Sequence, residues 1–318
     1  MEQQEFSDKL SWVWGMTHAQ RKRLRAKLDE LDNHRAAVDA IEKSIPERPA
    51  CPFCSHEKVV RWGMSHGLAR WRCKSCGKTF NALTGTPLSG LRMKLGWLDY
   101  SEKLLEGLSV RKAALHCEIA PSTAFRWRHR FLSMPAWDFP KHVQGVVEAD
   151  ETFFLESFKG QRDLPRPPRK RGGVAKKRGL SREQIPVVTI RDRHGATVDQ
   201  VISGIGEKQI APVLRGVLSK DAILCSDGAR SYRVYAAKHD VEHHAVKAKP
   251  GERVHGAWHI QNVNAYHSRL KDWMRRFRGV STANLQNYLG WRRMLERHGR
   301  SATAEICLFS ALGRQINT

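Results

Sequence analysis

The sequence lacks long apolar runs and is poor in acidic residues. No stretch of 18 consecutive apolar residues occurs, which argues against a transmembrane helix. The first residues, MEQQEFSDKL, contain neither a basic region nor an apolar core, so we expect no signal peptide. Asp and Glu number 32 against 55 Lys and Arg, which gives a formal net charge of +23. Enzymes that act on small molecules rarely carry this excess, which predicts a polyanionic partner, nucleic acid ahead of an anionic membrane.

The seven cysteines are an odd number, and four of them form two CxxC pairs. The pairs are separated by 18 residues, a spacing that lets two knuckles converge on one tetrahedral Zn²⁺. Metal binding rather than disulfide formation also fits a reducing cytosol. Four unconnected thiols or a redox CxxC are the alternatives, and His56 or His66 is a candidate substitute ligand. The predicted zinc ligands are Cys51, Cys54, Cys73 and Cys76.

Before the first CxxC pair, the sequence predicts one long amphipathic helix. No Gly or Pro occurs between Thr17, the expected N-cap, and Ser44, and apolar residues recur at spacings of three, four and seven. This helix either packs on its own protein or associates with a second copy, since the spacing is near heptad. Arg35 stands where a heptad seam needs an apolar residue, which weakens the second interpretation.

Residues 86–140 have the pattern of a helix-turn-helix. Ser109 is expected to cap a short helix, and a turn with Pro and Ser precedes the helix over residues 122–132. Phe125 and Phe131 are expected to face the core, while the polar side enters a DNA major groove. A generic helical hairpin is the alternative. The side chains predicted to contact DNA are Ser122, Thr123, Arg126 and Arg128.

Residues 143–155, VQGVVEADETFFL, predict a short β-strand that carries three carboxylates. Because side chains alternate along a strand, Glu148 and Asp150 share one face and Glu151 points to the other. A carboxylate inside an apolar strand is costly unless a cation offsets it. The pattern therefore indicates a metal-binding or catalytic site, with a turn or cap residue as the alternative.

Residues 158–182 contain ten basic residues and one acidic residue, together with three Pro and four Gly. Such a segment cannot build a core, so we expect a mobile loop. Its charge suits contacts with phosphate groups, and a solvated loop without a specific partner is the alternative.

The rest of the chain predicts a sheet flanked by helices. A hairpin is expected over residues 185–202, and a later strand over residues 222–228 ends in an acid, Asp227. Three strands, a helix, a strand, a helix, a strand and then helices is the order of a ribonuclease-H-like fold. In such a fold Asp150 and Asp227 come close together. Taken alone, Asp227 before Gly228 is more often a plain turn.

Residues 259–276 predict the last helix of the site. Asn264 and Lys271 are seven residues apart, which is two helical turns and therefore one face. His267 is expected one turn from Asn264 on the polar side. The predicted packing face consists of Tyr266, Leu270, Trp273 and Phe277.

Two CxxC knuckles, the helix-turn-helix, EADETFF, LCSDG and HxxxVNxxHSRLK occur in this order. The series resembles the bacterial insertion-sequence transposases that carry a zinc ribbon, the ISXO2-like group, and it extends from about Arg48 to the end of the chain. That family has a signature of Asp, Asp, then Glu or Asn, with Lys seven residues later. The resemblance implies that the catalytic residues are Asp150, Asp227, Asn264 and Lys271. The departure from the commoner pattern is Asn264, where most transposases have Glu.

The resemblance also implies two divalent cations, Mg²⁺ or Mn²⁺, on either side of a scissile phosphate. Asp150 would bridge both, Asp227 would hold one and Asn264 the other, while Lys271 would hold a phosphate. We hypothesise that Glu148 supplies the charge that Asn264 lacks. The implied partners are double-stranded DNA, as terminal inverted repeats and target, and further copies of the chain in a homodimer or higher oligomer. No membrane partner is implied, and the expected location is cytoplasmic, at the nucleoid.

The predicted fold class is multidomain α+β, with a ribonuclease-H-like α/β catalytic domain built on a mixed sheet. One alternative function is a non-enzymatic zinc-ribbon and helix-turn-helix regulator whose ribonuclease-H-like domain is inactive. Another is a ribonuclease or resolvase of the same fold. The predicted domains are a helical segment at 1–48, a zinc ribbon at 49–85, a helix-turn-helix at 86–140 and the catalytic domain at 141–318.

Overall fold

The computed structural model describes residues 3–170, 172–177, 179–246 and 256–314. The chain is a mixed α/β protein that divides into two compact units. The first unit comprises residues 1–131 and 302–318, and the second comprises residues 132–301. The C-terminal helix therefore belongs to the first unit, and the four-domain layout stays a prediction.

Ten α-helices lie within the described ranges: α1 (Gln3–Gly15), α2 (His18–Lys43), α3 (Trp97–Leu105), α4 (Val110–His116), α5 (Pro121–Leu132), α6 (Glu207–Val217), α7 (Arg230–His239), α8 (Gln261–Arg275), α9 (Leu285–His298) and α10 (Ala304–Leu312). Eight strands lie within the same ranges: β1 (Val59–Ser65), β2 (Leu68–Cys73), β3 (Thr79–Asn81), β4 (Val146–Leu155), β5 (Gln184–Asp192), β6 (Thr197–Val201), β7 (Ile223–Ser226) and β8 (His243–Ala245). None of these helices combines the length and the apolar character that a membrane span requires.

Helix α2 begins where the sequence predicts, because Thr17 and Gln20 form a capping box. The Thr17 hydroxyl accepts from the Gln20 amide at 3.3 Å, and the Gln20 side chain accepts from the Thr17 amide at 2.8 Å. Towards its C-terminus α2 buries Ala37, Ala40 and Ile41. The side chain of Leu31, one of the apolar positions in the near-heptad pattern, lies outside the described residues. Helix α1 precedes α2, and none of its residues is buried.

The three strands around the CxxC pairs form an antiparallel sheet in the order β1–β2–β3, with β3 following the second pair. Trp71 and Phe80 pack with Cys51 and Cys73 in one small buried cluster. The sheet and its buried cluster therefore bring the two cysteine pairs close to each other.

Helices α3 and α5 pack against each other through aromatic side chains. Trp97 and Tyr100 of α3 make edge-to-face contacts with Trp127 and Phe131 of α5, at ring-centroid separations of 5.3–6.5 Å. The prediction that Phe125 faces this core is wrong, because its side chain is 52% exposed.

The second unit contains a five-stranded mixed sheet in the order β6–β5–β4–β7–β8. Strand β4 pairs antiparallel with β5 and parallel with β7, which in turn pairs parallel with β8. The order of strands and helices along the chain is the one that the sequence predicts. Strand β4, which bears the three acids, is therefore the centre of the sheet.

The two faces of β4 differ in the way that the alternation predicts. Val147 and Ala149 join the main hydrophobic core, to which α6 contributes Ile210 and α7 contributes Tyr232. The opposite face presents Glu148 and Asp150 towards α8. Two acids therefore lie in the layer between the sheet and α8.

The predicted packing face of α8 is confirmed, since all four of its side chains are buried. Trp273 and Phe277 contact Trp291 of α9 at ring-centroid separations of 5.0 and 5.3 Å. A buried ion pair between Arg293 of α9 and Asp199 of β6, to which the Tyr266 hydroxyl also donates, fixes both helices to the sheet edge.

The basic segment over residues 158–182 contains no helix or strand in its described part, and residues 171 and 178 lie outside that part. It is nonetheless attached at several points. The Lys159 ammonium donates to the carbonyls of Phe277 at 3.2 Å and Gly279 at 2.7 Å. Arg166 and Arg169 donate to the Glu156 carbonyl. These contacts limit the freedom that the composition predicts.

Gly290 of α9 should be intolerant of a side chain, because a Cβ there would overlap the backbone carbonyl of Pro135. We expect Gly290→Ala to lower the free energy of unfolding by about 1–3 kcal/mol, as overpacking does. Gly216 of α6 is the matched control, since nothing lies within 4 Å of its Cβ position. Gly216→Ala should raise stability by about 0.5–1 kcal/mol. Urea denaturation measures both, and equal stabilisation by the two changes would contradict this packing.

Candidate active site

Asp150 and Asp227 are brought together by the parallel pairing of β4 with β7. Glu148 stands opposite Cys225 in that ladder. Continuing the same register by two residues sets Asp150 opposite Asp227, the residue that follows β7. Neighbouring strands lie about 4.8 Å apart, so the two carboxylates share one small region at the end of the sheet.

Burial, helped by the nearby charge of Asp227, raises the pKa of Asp150 to about 6. The hydrogen bond from the Glu151 amide and the charge of Lys271 act in the opposite direction. A buried carboxylate with a second acid beside it is the environment in which a divalent cation is stabilising. Their hard oxygen ligands fit Mg²⁺ or Mn²⁺.

The turn that carries Asp227 is fixed by local hydrogen bonds. The Asp227 carboxylate accepts from the Ala229 amide at 2.8 Å, and the Gly228 amide donates to the Ser226 hydroxyl at 3.1 Å. The same hydroxyl lies 2.8 Å from His243 Nε2 on the neighbouring strand β8. Gly228 has a φ of +80°, where a side chain would be strained. The Asp-Gly pair is thus a turn, as its composition suggests, and the turn directs the acid.

Glu151 lies on the other face of β4, as predicted. The hydroxyl of the fully buried Tyr232 donates to Glu151 Oε1 at 2.6 Å. Burial raises the pKa of Glu151 to about 7, and the charges of Asp150 and Asp227 act in the same direction. Three acids are therefore electrostatically linked at this end of the sheet.

His267 is a correction to the sequence interpretation, which assigned it to the polar side of α8. Its side chain is buried, and Nδ1 lies 3.7 Å from Asp150 Oδ2. Burial, followed by the charge of Lys271, lowers the pKa of His267 to about 3, so the ring is neutral. Its buried Nε2 has no hydrogen-bond partner among the described residues. A neutral imidazole nitrogen therefore lies beside Asp150.

Asn264 and Lys271 lie on exposed positions of α8. The charge of Lys271 acts on both Asp150 and His267, which brings the lysine into the site. The contacts of Asn264 in the described structure are made by its backbone, which donates to the Ile260 carbonyl at 3.2 Å and accepts from Ser268. The ligand role of Asn264 stays a prediction.

The contacts of Glu148 correct the hypothesis that it supplies charge to a metal site. Its carboxylate is fully buried and accepts from Asn262 Nδ2 at 2.8 Å and from the Val263 amide at 3.0 Å. It also lies within 3.3 Å of Arg193 Nε and His259 Nδ1. Both oxygens of this carboxylate accept hydrogen bonds from the first turn of α8. The sequence offered one signal for this role, an acid in an apolar strand.

The four predicted cysteine ligands converge in the first unit. Their sulfur atoms all lie within 4.8 Å of one another, with Cys51–Cys76 at 3.7 Å and Cys54–Cys73 at 3.6 Å. A tetrahedral site with Zn–S bonds of about 2.3 Å has edges of roughly 3.8 Å, so the quartet fits Zn²⁺. The Cys76 amide, first among several causes, lowers the pKa of Cys73 to about 7. Within the described ranges, this is the one group of three or more Cys, His, Asp or Glu with such spacing.

Of the residues predicted to contact DNA, Ser122 and Arg126 are exposed on α5 and Thr123 is half-buried. Arg128 is a correction, because its side chain is fully buried and donates to the Leu108 carbonyl at 2.7 Å. It joins α5 to the turn between α3 and α4. A helical period of 3.6 residues places Arg126 and Arg128 about 200° apart, so both cannot face one groove.

Comparison with known proteins identifies a domain and one relative. Residues 142–292 match the ISXO2-like transposase domain. An uncharacterized protein in transposable element ISH50 of Halobacterium salinarum is 29% identical over 254 residues, covering 75% of this chain and 82% of the relative.

Solved structures give weaker similarities. A pre-cleavage Mos1 transpososome is 13% identical and covers 67% of this chain and 78% of its own, with a TM-score of 0.23. The Mos1 strand transfer complex is 13% identical, covers 68% and 78%, and also has a TM-score of 0.23. At this TM-score the similarity does not define the fold.

Replacement of a cluster cysteine should remove the zinc and unfold the ribbon. Structural zinc contributes about 10–16 kcal/mol to modules of this size. We expect metal analysis to find close to one zinc per chain, and close to none in Cys51→Ser or Cys76→Ser. Cys117, which lies outside the cluster, provides the control, and Cys117→Ser should retain the metal. Unchanged zinc in the first two variants would refute the site.

Proposed function

Since the chain belongs to the ISXO2-like transposase family, we propose that it is an insertion-sequence transposase that cleaves and joins DNA. The proposed catalytic residues are Asp150, Asp227, Asn264 and Lys271. The observation that carries the proposal is the adjacency of Asp150 and Asp227 across the parallel β4–β7 pair. The raised pKa of Asp150 also supports it, because a bound cation would stabilise the ionised carboxylate.

Divalent cations bound there would activate the attacking oxygen and stabilise the leaving oxygen of a phosphodiester. In the first step a water oxygen attacks phosphorus, the bond to the 3′ oxygen breaks, and the strand ends in a 3′-hydroxyl. In the second, that hydroxyl attacks a phosphodiester of the target and displaces its 3′ oxygen. The first step hydrolyses a phosphodiester, and the second replaces one phosphodiester bond by another, so neither step needs an external energy source.

Within this scheme the chain's own residues position the reactants. Asp150 and Asp227 would hold cations, and the amide oxygen of Asn264 is the proposed third ligand. Lys271, whose charge reaches Asp150, would hold a phosphate oxygen of the DNA. The neutral ring of His267 excludes water from one side of Asp150, since both groups are largely buried.

We further propose that the five-stranded sheet is ribonuclease-H-like and that the first unit recognises DNA ends. The sheet order and strand directions support the first part. The cysteine quartet and the exposed Ser122 and Arg126 on α5 support the second. The net charge of +23 favours a polyanionic partner throughout.

The experiment that tests the function uses DNA carrying the repeats that flank the gene. We expect cleavage and joining that require Mg²⁺ or Mn²⁺. Asp150→Ala and Asp227→Ala should each lower the rate at least about a thousandfold, equivalent to about 4 kcal/mol, while binding to the repeats remains. Binding without cleavage by the wild type would favour the regulator, and preference for RNA would favour a ribonuclease. Normal strand transfer by either variant would refute the catalytic assignment.

The role of Asn264 is tested by titrating Mg²⁺ in the cleavage assay. If the amide oxygen is a ligand, Asn264→Ala should raise the Mg²⁺ concentration for half-maximal cleavage and lower the rate. Asn264→Asp adds a negative charge beside the cations, so it should keep substantial activity and lower that concentration. Identical curves for the three proteins would show that Asn264 does not bind the cation.

A further inference from the structure

We propose that Glu148 is a positioning residue: its buried carboxylate seats the first turn of α8 on β4 and so sets where Asn264 and Lys271 stand relative to Asp150. The effect on catalysis rests on the proposed function. The attachment of the first turn of α8 to β4 by the Glu148 carboxylate, called the seat below, is a structural contact that can be tested without it. Glu148 thus has a task different from that of the acid two residues later on the same strand face.

Both oxygens of the Glu148 carboxylate are occupied by hydrogen-bonding groups. Oε2 accepts from the Val263 amide at 3.0 Å, and Oε1 accepts from Asn262 Nδ2 at 2.8 Å. Arg193 Nε and His259 Nδ1 lie 3.3 and 3.2 Å from Oε1. A carboxylate with no exposed surface is stable only when donors and cationic groups replace water, and four groups do so here.

The backbone amides at the start of α8 need hydrogen-bond acceptors. The residue at the N-cap is Ile260, whose side chain cannot accept a hydrogen bond, so the cap residue itself satisfies none of the first amides. His259 Nδ1 accepts from the Gln261 amide at 3.3 Å, which leaves the next amides of the turn in need of an acceptor. Glu148 supplies the acceptor from a different element, at the third helical residue, Val263. A negative charge at this end is also favoured by the helix dipole. The cap of α8 is therefore a contact with the sheet.

Arg193 extends the seat to the segment that enters α8. From the turn after β5 it donates to the Ala257 carbonyl at 2.9 Å and lies 2.8 Å from His259 Nε2. Because a guanidinium only donates, His259 Nε2 is the acceptor of this contact, while Nδ1 lies 3.2 Å from Glu148 Oε1 and 3.3 Å from the Gln261 amide nitrogen. Arg193, His259 and Glu148 thus form one closed set of contacts ahead of the helix.

The two contacts between α8 and β4 have matching spacings on the helix and on the strand. Four residues of α-helix, from Val263 to His267, rise about 6 Å. Two residues of strand, from Glu148 to Asp150, advance about 6.8 Å. The two contacts, Glu148 with Val263 and Asp150 with His267, therefore keep α8 aligned along β4. Asn264 follows the first contact directly, so loosening the seat shifts its side chain before any other in the site.

The test combines hydrogen exchange with activity on the full-length protein. In zinc-loaded protein without Mg²⁺ or Mn²⁺, Glu148→Ala should accelerate exchange of the amides at residues 262–268 at least about tenfold, while amides of α9 keep their protection. Glu148→Gln retains one carbonyl oxygen for the Val263 amide and should give an intermediate effect. With Mg²⁺, the cleavage rate of Glu148→Ala should fall up to about a hundredfold, as misplaced catalytic groups cause, with repeat binding unchanged.

Glu296→Gln is the matched control, because Glu296 holds Arg269 further along α8 and does not touch the first turn. It should leave exchange at residues 262–268 as in the wild type. Unchanged exchange there in folded Glu148→Ala, or Glu148→Gln if the alanine variant does not fold, would overturn the proposal. So would an equal acceleration throughout the second unit, which signals general destabilisation. If the wild type fails to cleave DNA, the proposed function fails while the exchange data still decide the seat.

Discussion

The withdrawal of two carboxylates from water on one strand is the constraint on which the catalytic unit depends. Glu148 and Asp150 lie beneath α8, at the centre of a five-stranded sheet. An ionised carboxylate in such a place needs donors or cations close by. The turn after β5, the chain entering α8 and the helix itself are arranged around that need. The sheet is thus organised by its polar face as much as by its apolar one.

The same rule operates at the edge of the sheet, where Asp199 of β6 is fully buried. Arg293 of α9 pairs with it, and the Tyr266 hydroxyl donates to its other oxygen. The guanidinium also donates to the Pro135 carbonyl at 2.8 Å, beside the close approach of Gly290. Breaking a buried pair of this kind leaves an uncompensated charge, so the arrangement of α8 and α9 is strongly specified.

Local sequence patterns predict most elements of this chain, because strand alternation, helix caps and cysteine spacing depend on residues that are close together in the sequence. The Thr17 cap, the packing face of α8 and the cysteine quartet follow from such signals. The misassigned residues depend on distant partners. The pattern of α5 predicts Arg128 as a groove contact, yet its carbonyl acceptor at Leu108 is 20 residues away. The pattern of α8 predicts His267 on the polar side, yet its side chain is buried beside Asp150 of β4. The donors of Glu148 come from the turn after β5 and from the start of α8, and local periodicity does not encode the proximity of these segments to β4.

Glu148 and Asp150 show how one strand face assigns two tasks to the same chemical group. Glu148 receives hydrogen bonds on both oxygens from the chain itself, so it needs nothing further and can act as a fixed support. Asp150 is also largely buried, but the only hydrogen-bond donor among the described residues that lowers its pKa is the Glu151 amide. A neutral histidine lies 3.7 Å away and another acid stands opposite, so the pKa of Asp150 rises to about 6 despite the charge of Lys271. What separates support from reactive site is therefore the number of donors that the fold supplies. An acid that the fold leaves short of donors is the one that a cation can stabilise, and here it is the acid beside Asp227.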